Sequence, residues 1–434
     1  MGIESKHPQY AKKENQVSRC RDTYDGEDSV KGAKTKYLPK LSKQTDASYK
    51  AYIQRASFYN TMKRTIHGLA GAVMRIDPIV EGADGAWLED ITTTGMTIED
   101  FVYYMLTEQL LTGRQGILVE HDGTRPYLVG YSTEQMTNWM DGVVVLKEEF
   151  RNPNPKDKYD SKFEVQYREL VILENRYEVN IWREKKGKWV IHETLNPDKR
   201  GAALDFIPFV SASVDGFNFN PKTPPLLNLA DMNLSHYRTS ADLEHGRHFT
   251  ALPTPYVTGV DAESELSIGA ESAWVLPDVA SKAGFLEFSG AGLKALDVAM
   301  DQKRSMMASL GAQLLDGQKN GVEATETVKL RQNSEASVLM RAVKSVEGTL
   351  NKALNLMTDW EGGPEVKVTL NTDFANTSMG HQDMTALMGL WQSGAISHES
   401  LLWNMKRGEV IPPDVSVEEE RDRVDMQTGL PEAE

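Results

Sequence analysis

The strongest pattern in the chain is a helix of about thirty residues in its C-terminal third. Apolar residues recur there at alternating spacings of four and three, which predicts a heptad-like face on Leu339, Val343, Val346, Leu350, Ala353 and Met357. The first turns of this helix, Thr325 to Glu335, are polar. The sequence therefore predicts a long helix with a polar beginning and one heptad-like apolar face.

Two shorter helical patterns precede it. From Pro224 to about His245 the sequence predicts a first helix, with its stripe on Leu227, Ala230, Leu234, Tyr237 and Ala241. A second helix is predicted from about Gly292, with its stripe on Leu293, Leu296, Met300, Met307, Leu310 and Leu314, and Lys303 stands where a further apolar residue would complete it. Residues 248–290 between them favour short strands and turns, and hold six acids and one lysine. The polar loop Asp316–Gly321 separates the second helix from the long one.

The remaining segments predict an α+β fold. Residues 1–36 are polar, and we expect them to extend over a neighbour or to be partly disordered. A helix is predicted from Asp46, with a stripe that reaches Tyr59, and Thr97–Asp100 is a capping box for a helix that ends at Gly113. About a hundred residues of β-rich runs follow, and they indicate a mixed antiparallel region. The run "VKVTL" predicts one more strand, and residues 381–412 predict a helix–turn–helix with Gly394 at the break and Ser397 as the cap.

Composition narrows the classes of function. The 434 residues are 40% apolar and 26% charged, with a net charge of −15, and no apolar run is long enough to span a membrane. Residues 1–64 have a local charge of +7, whereas residues 411–434 have one of −6. The acidic total argues against a protein that holds DNA tightly by phosphate neutralisation. The single Cys20 and the absence of an apolar N-terminal signal are typical of a chain made in reducing cytoplasm.

No catalytic or metal-binding constellation is visible in the sequence. The segment Gly290–Ala295 matches G-x-G-x-x-A after a strand, but the patterns after its helix predict more helix and not a second parallel strand. His236, His245 and His248 lack metal-site spacing, and polar histidines on a helix face are the simpler interpretation. We therefore expect a protein that is not an enzyme and that needs no metal or cofactor.

Four stretches in order, "YLPKLSKQTDASYKAYIQRASFYNTMKRTIHGLAG", "NLSHYRTSADLEHGRHFTALPTPYVTG", "SAWVLPDVASKAGFLEFSGAGLKAL" and "MMASLGAQLL", resemble a phage family of uncharacterised function that is regarded as portal-type. The order of elements also resembles the portal proteins of tailed bacteriophages, over nearly the whole chain. The resemblance implies these parts: N-terminal arm 1–36, wing 37–223, stem helix 224–247, clip 248–290, second stem helix 291–315, tunnel loop 316–324, long helix and wing strand 325–372, crown 373–412, and acidic tail 413–434.

The resemblance also implies roles for particular residues. Portals form a ring, typically of twelve copies, and the tunnel loop would face duplex DNA in its channel through Asp316, Gly317, Gln318, Lys319, Asn320 and Gly321. One lysine per subunit, Lys319, would give weak, screened phosphate contacts that select no base sequence; an ordinary solvated turn is the alternative for this loop. Lys294, Lys303 and Arg304 on the second stem helix are further channel candidates, with pairing to an acid as their alternative. The clip residues expected to contact basic surfaces of partners are Asp261, Glu263, Glu265, Glu271, Trp274 and Asp278.

The implied function is a portal at one capsid vertex of the virion, assembled in the host cytoplasm, through which DNA is packaged and ejected. The implied partners are other copies of the chain, the terminase large subunit, a head-completion or adaptor protein, the major capsid or a scaffolding protein, and double-stranded DNA that passes without sequence specificity. Two alternatives stay open. One is another oligomeric neck or minor capsid protein, and the other is a nucleotide-binding enzyme that uses Gly290, Gly292 and Ala295.

Overall fold

The computed structural model describes residues 2–154, 157–250, 254–259, 280, 282–286, 291–312, 325–372, 374, 381–408, 410–411 and 415–428. Helices and antiparallel sheets alternate along these residues, which confirms the predicted α+β class. One large hydrophobic core joins the N-terminal helices, the sheets and the long helix, and two smaller clusters lie outside it.

Most of residues 8–36 are helical. Helix α1 (Pro8–Asp25) is followed by α2 (Glu27–Gly32) and a 3-10 turn. Val17 and Cys20, one turn apart on α1, are fully buried, and Cys20 belongs to the large core. The expectation that this segment is partly disordered is therefore wrong for residues 8–36, and its extension over a neighbour stays a prediction. A helix that is polar on most of its surface still buries a narrow stripe, and average composition conceals that stripe.

The helix predicted from Asp46 is interrupted. Helix α3 (Asp46–Arg55) ends before Ala56, and α4 (Thr61–Val73) begins after Asn60, whose side chain accepts a hydrogen bond from the Lys63 amide at 2.9 Å. The bend between the two helices is held by the Ser57 amide, which donates to Ser240 Oγ at 3.0 Å. The bend changes the direction of the chain and brings residues 57–64 beside the later helix that contains Ser240.

Helix α6 follows the short β1 (Ile79–Glu81) and α5 (Gly85–Glu89), and it confirms the predicted boundaries. It covers Ile98–Thr112; Thr97 Oγ1 accepts from the Asp100 amide at 3.3 Å, and Gly113 ends it with φ of 75°. Glycine adopts this left-handed conformation without the steric cost that a Cβ adds. Because α6 lies in the centre of the core, it is buried on nearly every side.

The β region is antiparallel, as predicted. Its strands are β2 (Arg114–His121), β3 (Pro126–Ser132), β4 (Met136–Met140), β5 (Val143–Asn154), β6 (Asp157–Leu173), β7 (Arg176–Lys185), β8 (Lys188–Leu195), β9 (Asp198–Lys199), β10 (Ala202–Ala203) and β11 (Phe209–Ser213). Strands β4 to β8 form one sheet in chain order, whereas the second sheet has the order β11-β2-β3. The side chains of the second sheet meet α6 in the core.

Three helices and three short strands complete the large core and its extension: α7 (Leu227–Thr250), β12 (Thr254–Thr258), β13 (Lys282–Leu286), α8 (Ala291–Met307), α9 (Thr325–Glu361) and β14 (Lys367–Thr369). A π-helical turn, Ala308–Ala312, continues α8. All six residues of the predicted heptad-like face of α9 are buried, which confirms that interpretation. Strand β14, predicted from "VKVTL", pairs antiparallel with β1, almost 300 residues earlier in the chain.

The C-terminal segment forms a helical unit of its own. Helices α10 (His381–Gln392) and α11 (His398–Arg407) are separated at Gly394, and Ser397 Oγ accepts from the Ser400 amide at 3.1 Å, as the sequence predicted. The acidic tail contains one more helix, α12 (Val417–Thr428). The apolar cluster of this unit is separate from the large core.

Candidate functional site

Helices α7 and α8 form an antiparallel pair. Lys303 on α8 contacts Ser235 and Thr239 on α7, whereas Asp297, six residues earlier on α8, binds Arg247, further along α7. The two helices approach closely at Gly246, where a Cβ would lie 2.6 Å from Leu293 Cδ2. This arrangement confirms the predicted helices around residues 224–247 and 291–315, as far as residue 312.

The pair extends away from the core. The first turns of α7 contribute Leu229 and Ala230 to the large core, and α8 returns to it at Met307. The last turn of α7 is solvent-exposed, with Phe249 58% accessible. Since α7 has 24 residues, it is about 36 Å long.

Of the three cations proposed for the channel, Lys303 is directed into the helix pair. Its amine donates to the Ser235 carbonyl at 3.1 Å and to Thr239 Oγ1. Burial lowers the pKa of Lys303, and the nearby Arg238 lowers it further. Lys303, which lies within the apolar stripe, therefore joins α8 to α7 by hydrogen bonds within one subunit.

The other two cations lie on the surface of α8. Arg304 Nη1 binds Asp301 Oδ1 at 2.9 Å, so its acidic partner belongs to the same helix. Lys294 is exposed on the first turns of α8. The structure thus separates the three candidates instead of grouping them on one face.

A cleft of about 870 Å³ lies between the helix pair and the segment Ser57–Arg64. Its apolar surface comes from Leu243, Met300 and Met307. Its charged side chains, three arginines and three carboxylates, sum to zero. Arg247 binds Glu244 at 2.9 Å and Asp297 at 2.8 Å, and Asp301 binds Arg304, whereas Arg64 hydrogen-bonds to the neutral Tyr59 hydroxyl at 3.4 Å. The cleft is a neutral groove with apolar patches.

His236 lines this cleft and is only 2% exposed, yet neither of its ring nitrogens has a hydrogen-bond partner among the described residues. Burial lowers the pKa of His236 to about 4, with further contributions from Arg304 and Lys303. The imidazole is therefore neutral at physiological pH and presents one donor and one acceptor. Buried polar atoms are nearly always satisfied, so this side chain calls for an explanation.

The histidine group in the sequence does not form one cluster. The ring of His245 lies edge-on to Tyr52 and Phe249, with centroids 5.2 and 4.6 Å apart, and the ring of His248 lies edge-on to Phe249, with centroids 5.5 Å apart. Only His236 faces the cleft, one position from the buried stripe residue Tyr237. Sequence periodicity predicted Tyr237 as buried, but it gave no indication that Ser57 and Tyr59 would line a cleft together with His236.

Two groups of predicted residues lie outside the described part of the chain: the tunnel-loop residues Asp316, Gly317, Gln318, Lys319, Asn320 and Gly321, and the clip residues Asp261, Glu263, Glu265, Glu271, Trp274 and Asp278. Within 248–290, β12 and β13 confirm two of the expected short strands, paired antiparallel from Thr254–Leu286 to Thr258–Lys282.

The dinucleotide fingerprint lacks the fold that its mechanism needs. Strand β13 pairs antiparallel with β12, and Gly292 and Ala295 lie inside α8. A pyrophosphate site of that type requires a parallel βαβ unit. Among the described residues, no three His, Cys, Asp or Glu side chains converge as metal ligands, and no helix there is long and apolar enough to cross a bilayer.

A family model described as "Domain of unknown function (DUF4055)" matches residues 225–361, the segment that spans α7, α8 and α9. No curated protein matches the chain. The chain is similar to solved structures titled "Neck of empty GTA particle computed with C6 symmetry" (12% identity, TM-score 0.43, 83% of this chain and 93% of that chain) and "Virion of native gene transfer agent (GTA) particle" (12% identity, TM-score 0.41, 88% and 99%). A third, "Neck of native GTA particle computed with C12 symmetry", has 14% identity and a TM-score of 0.39 over 80% of this chain and 91% of that chain.

Proposed function

We propose that the chain is the portal subunit of a tailed bacteriophage or a phage-like particle, a non-enzymatic protein that forms a ring around a DNA channel. The observation that carries this proposal is the antiparallel pair α7/α8. It leaves the core along α7, which is about 36 Å long, and α8 returns to the core at Met307, before residues 313–324 and α9 in the chain. This geometry fits a stem that projects a clip outward and a loop at the inner end.

The surface of the pair also supports lateral assembly. Val298 is 49% exposed and Met306 is 50% exposed on α8, and neither residue lines the neutral cleft. A two-helix layer cannot bury such residues by itself, so packing against another subunit would cover them. In a closed ring, each copy would cover the exposed face of the next.

The charge of the chain fits a channel that releases DNA easily. Each copy contributes −15, so a ring has a strongly acidic total with few cations available to phosphate. The loop residue Lys319 would supply one weak, salt-screened contact per subunit. We propose that the loop around Lys319 guides the duplex and that residues 251–290 meet the terminase large subunit and then a head-completion protein.

Electron microscopy and native mass determination of the purified chain test the assembly. We expect closed rings with a mass many times 48.5 kDa, and no hydrolysis of ATP. A chain that stays monomeric at all concentrations and salt levels would refute the portal proposal. Rings that cannot support packaging in place of the resident portal would instead indicate a neck or minor capsid protein.

Loop variants test the channel. Deleting residues 316–321 should leave the rings intact, because changes of loop length alter closure entropy only slightly. Nuclease-protected DNA should fall in packaging assays, most for the deletion and least for Lys319→Ala, with Lys319→Glu worse than Lys319→Ala because it adds like charge facing phosphate. Normal packaging and retention by loop-deleted rings would remove the loop from the channel.

A further inference from the structure

Helix α10 has an apolar face that is only partly covered within the subunit. At about 100° per residue, four of its apolar side chains lie within about 100° of the helix circumference: Met384, Leu387, Met388 and Trp391. None of the four is buried, and none belongs to the three apolar clusters of the described residues. Leu390, at the edge of this face, is 48% exposed. Since an amphipathic helix is stabilised mainly by packing of its apolar face, the face of α10 requires a partner.

Helix α11 exposes a second apolar surface on the same unit. Leu401 and Leu402 are buried, and they mark the inner side of this helix. Trp403 lies about 150° from the mean direction of these two leucines and is 55% exposed. The C-terminal unit, α10 to α12, therefore presents two different apolar surfaces on two helices.

The charge of α10 and α11 favours contact with another copy of the same segment. Residues 381–407 contain two acids, Asp383 and Glu399, and two bases, Lys406 and Arg407, so their formal net charge is zero. The whole chain carries −15, so copies of it repel one another on average. Two copies of a neutral segment can meet without this repulsion.

The connection to the large core keeps the C-terminal units of a ring close together. Phe374 packs against the large core, and α10 begins at His381. These seven residue steps span at most about 25 Å, so the start of α10 stays within that distance of Phe374. In a ring, the units of adjacent copies are therefore held at a high local concentration, at which a small apolar contact is sufficient.

We propose that the apolar face of α10 is covered by α11 of a second copy of this chain, with Trp403 of that copy at the centre of the contact. Large aromatic side chains stabilise such contacts because they bury much area with little loss of side-chain entropy. The two surfaces differ, so the contact is heterologous and continues around a ring, whereas an α10–α10 contact gives only pairs. The inference rests on the ring assembly of the proposed function and adds to it the contact that joins the C-terminal units of adjacent subunits.

Disulfide trapping in the full chain tests the contact. The only native cysteine, Cys20, is fully buried and burial raises the pKa of its thiol to about 12, so it stays unreactive. We would place Glu399→Cys one turn before Trp403 on the same side of α11, so that the tryptophan is kept. It is combined in turn with Met384→Cys and Met388→Cys, one turn apart on the face of α10. Mild oxidation of one of the two pairs should give a ladder of covalent multimers on a denaturing gel.

Single variants and a pair on the opposite side of α10 are the controls. No single variant should form multimers, and Ala386→Cys with Glu399→Cys should form none, because Ala386 lies about 160° from Met388 around the helix. Dimers from Met384→Cys or Met388→Cys alone would show an α10–α10 contact and overturn the proposal. A disulfide that forms only within one chain would also overturn it.

The outcome also separates this contact from the portal proposal. Rings that give no ladder from either pair would overturn the contact and leave the portal proposal intact, since the face of α10 would then meet another protein of the particle. A ladder from a protein that never packages DNA would support the contact and refute the portal proposal.

Alanine variants test the role of Trp403 without new cysteines. Leu387→Ala and Trp403→Ala should each raise the protein concentration required for half-assembly by about tenfold, and the double variant should add little more. Met426→Ala is the matched control, because Met426 is 70% exposed on α12 of the same unit, and it should leave that concentration unchanged. Below the assembly concentration, the Tm of the main transition should be the same in every variant, since these residues lie outside the large core. Additive effects of Leu387→Ala and Trp403→Ala would show that the two residues belong to different contacts and would overturn their pairing.

Discussion

Arg21 on α1 joins the N-terminal helix to the core through two carboxylates. It binds Glu108 Oε2 on α6 at 2.6 Å and Glu134 Oε1 at 2.8 Å. Glu108 is almost fully buried, and its burial raises its pKa while the guanidinium of Arg21 opposes that change. The two ion pairs of Arg21 therefore attach the polar helix α1 to the apolar core.

Replacing Arg21 with methionine should destabilise the protein by about 3 kcal/mol, because it leaves the Glu108 carboxylate buried without a counter-charge. Arg19→Met is the matched control; it removes an exposed pair with Asp231 and should cost less than about 1 kcal/mol. Denaturant unfolding monitored by circular dichroism measures both. Equal losses for the two variants would contradict the buried role of Arg21.

His236 should make stability depend on pH in a definite window. Its folded pKa of about 4 lies below the ordinary value of 6.5, so its contribution is complete above pH 6.5 and is lost as pH falls towards 4. The loss is at most about 3.5 kcal/mol, since the folded pKa lies about 2.5 units below 6.5 and one pKa unit corresponds to about 1.4 kcal/mol. We would measure the unfolding free energy of wild type and His236→Phe from pH 7 to pH 4. Their difference should change with pH, and parallel curves would show that His236 titrates normally.

At the scale of elements, the sequence predicted those features that depend only on neighbouring residues within one helix. The six-residue face of α9 and the capping box of α6 are local patterns, and the structure confirms both. The helicity of α1 was missed, although Val17 and Cys20 are spaced as one helical stripe, because polar residues on the remaining surface dominate the composition.

Contacts between distant segments could not be read from the sequence. The pairing of β1 with β14 and the sheet order β11-β2-β3 depend on how the whole chain packs. The cleft has the same origin: it combines Ser57–Arg64 with α7 and α8, and the bend between α3 and α4 interrupts a stripe that looks continuous in the sequence. The sequence therefore predicted His236 only as a polar histidine on a helix face, because the cleft that it lines forms only when these distant segments pack together.

Glycines in β2 and α4 should respond to alanine in opposite directions. At Gly116 in β2, a Cβ would collide with the ring of Phe209 and lie 2.7 Å from Met136 Sδ, so Gly116→Ala should destabilise the protein by about 1–3 kcal/mol. At Gly71 in α4 no atom lies within 4 Å of the new Cβ, so Gly71→Ala should stabilise it by about 0.5–1 kcal/mol. Thermal unfolding of the two variants would decide, and a stabilising Gly116→Ala would mean that the sheet has room at β2.

At the scale of the molecule, the chain divides into a large core and a C-terminal unit. The large core includes Val368 and Leu370 beside α9, and Phe374 packs against it. The cluster of the C-terminal unit contains Leu402 and Ile411 but no residue from before α11. The structure thus indicates a boundary between residues 374 and 381.

Truncation after residue 380 should therefore leave the Tm of the remaining protein within about 2 °C of the full chain, because it removes no apolar residue of the large core. Truncation after residue 366 is the matched control. It also removes β14 and the buried side chains of Val368 and Leu370, each worth about 1.5–3 kcal/mol of burial, and it unpairs β1. Calorimetry should show the main transition retained in the first variant and lowered by several degrees in the second. An equal fall in both would show that residues 381–428 stabilise the core directly, and the separate cluster would then be part of one folding unit.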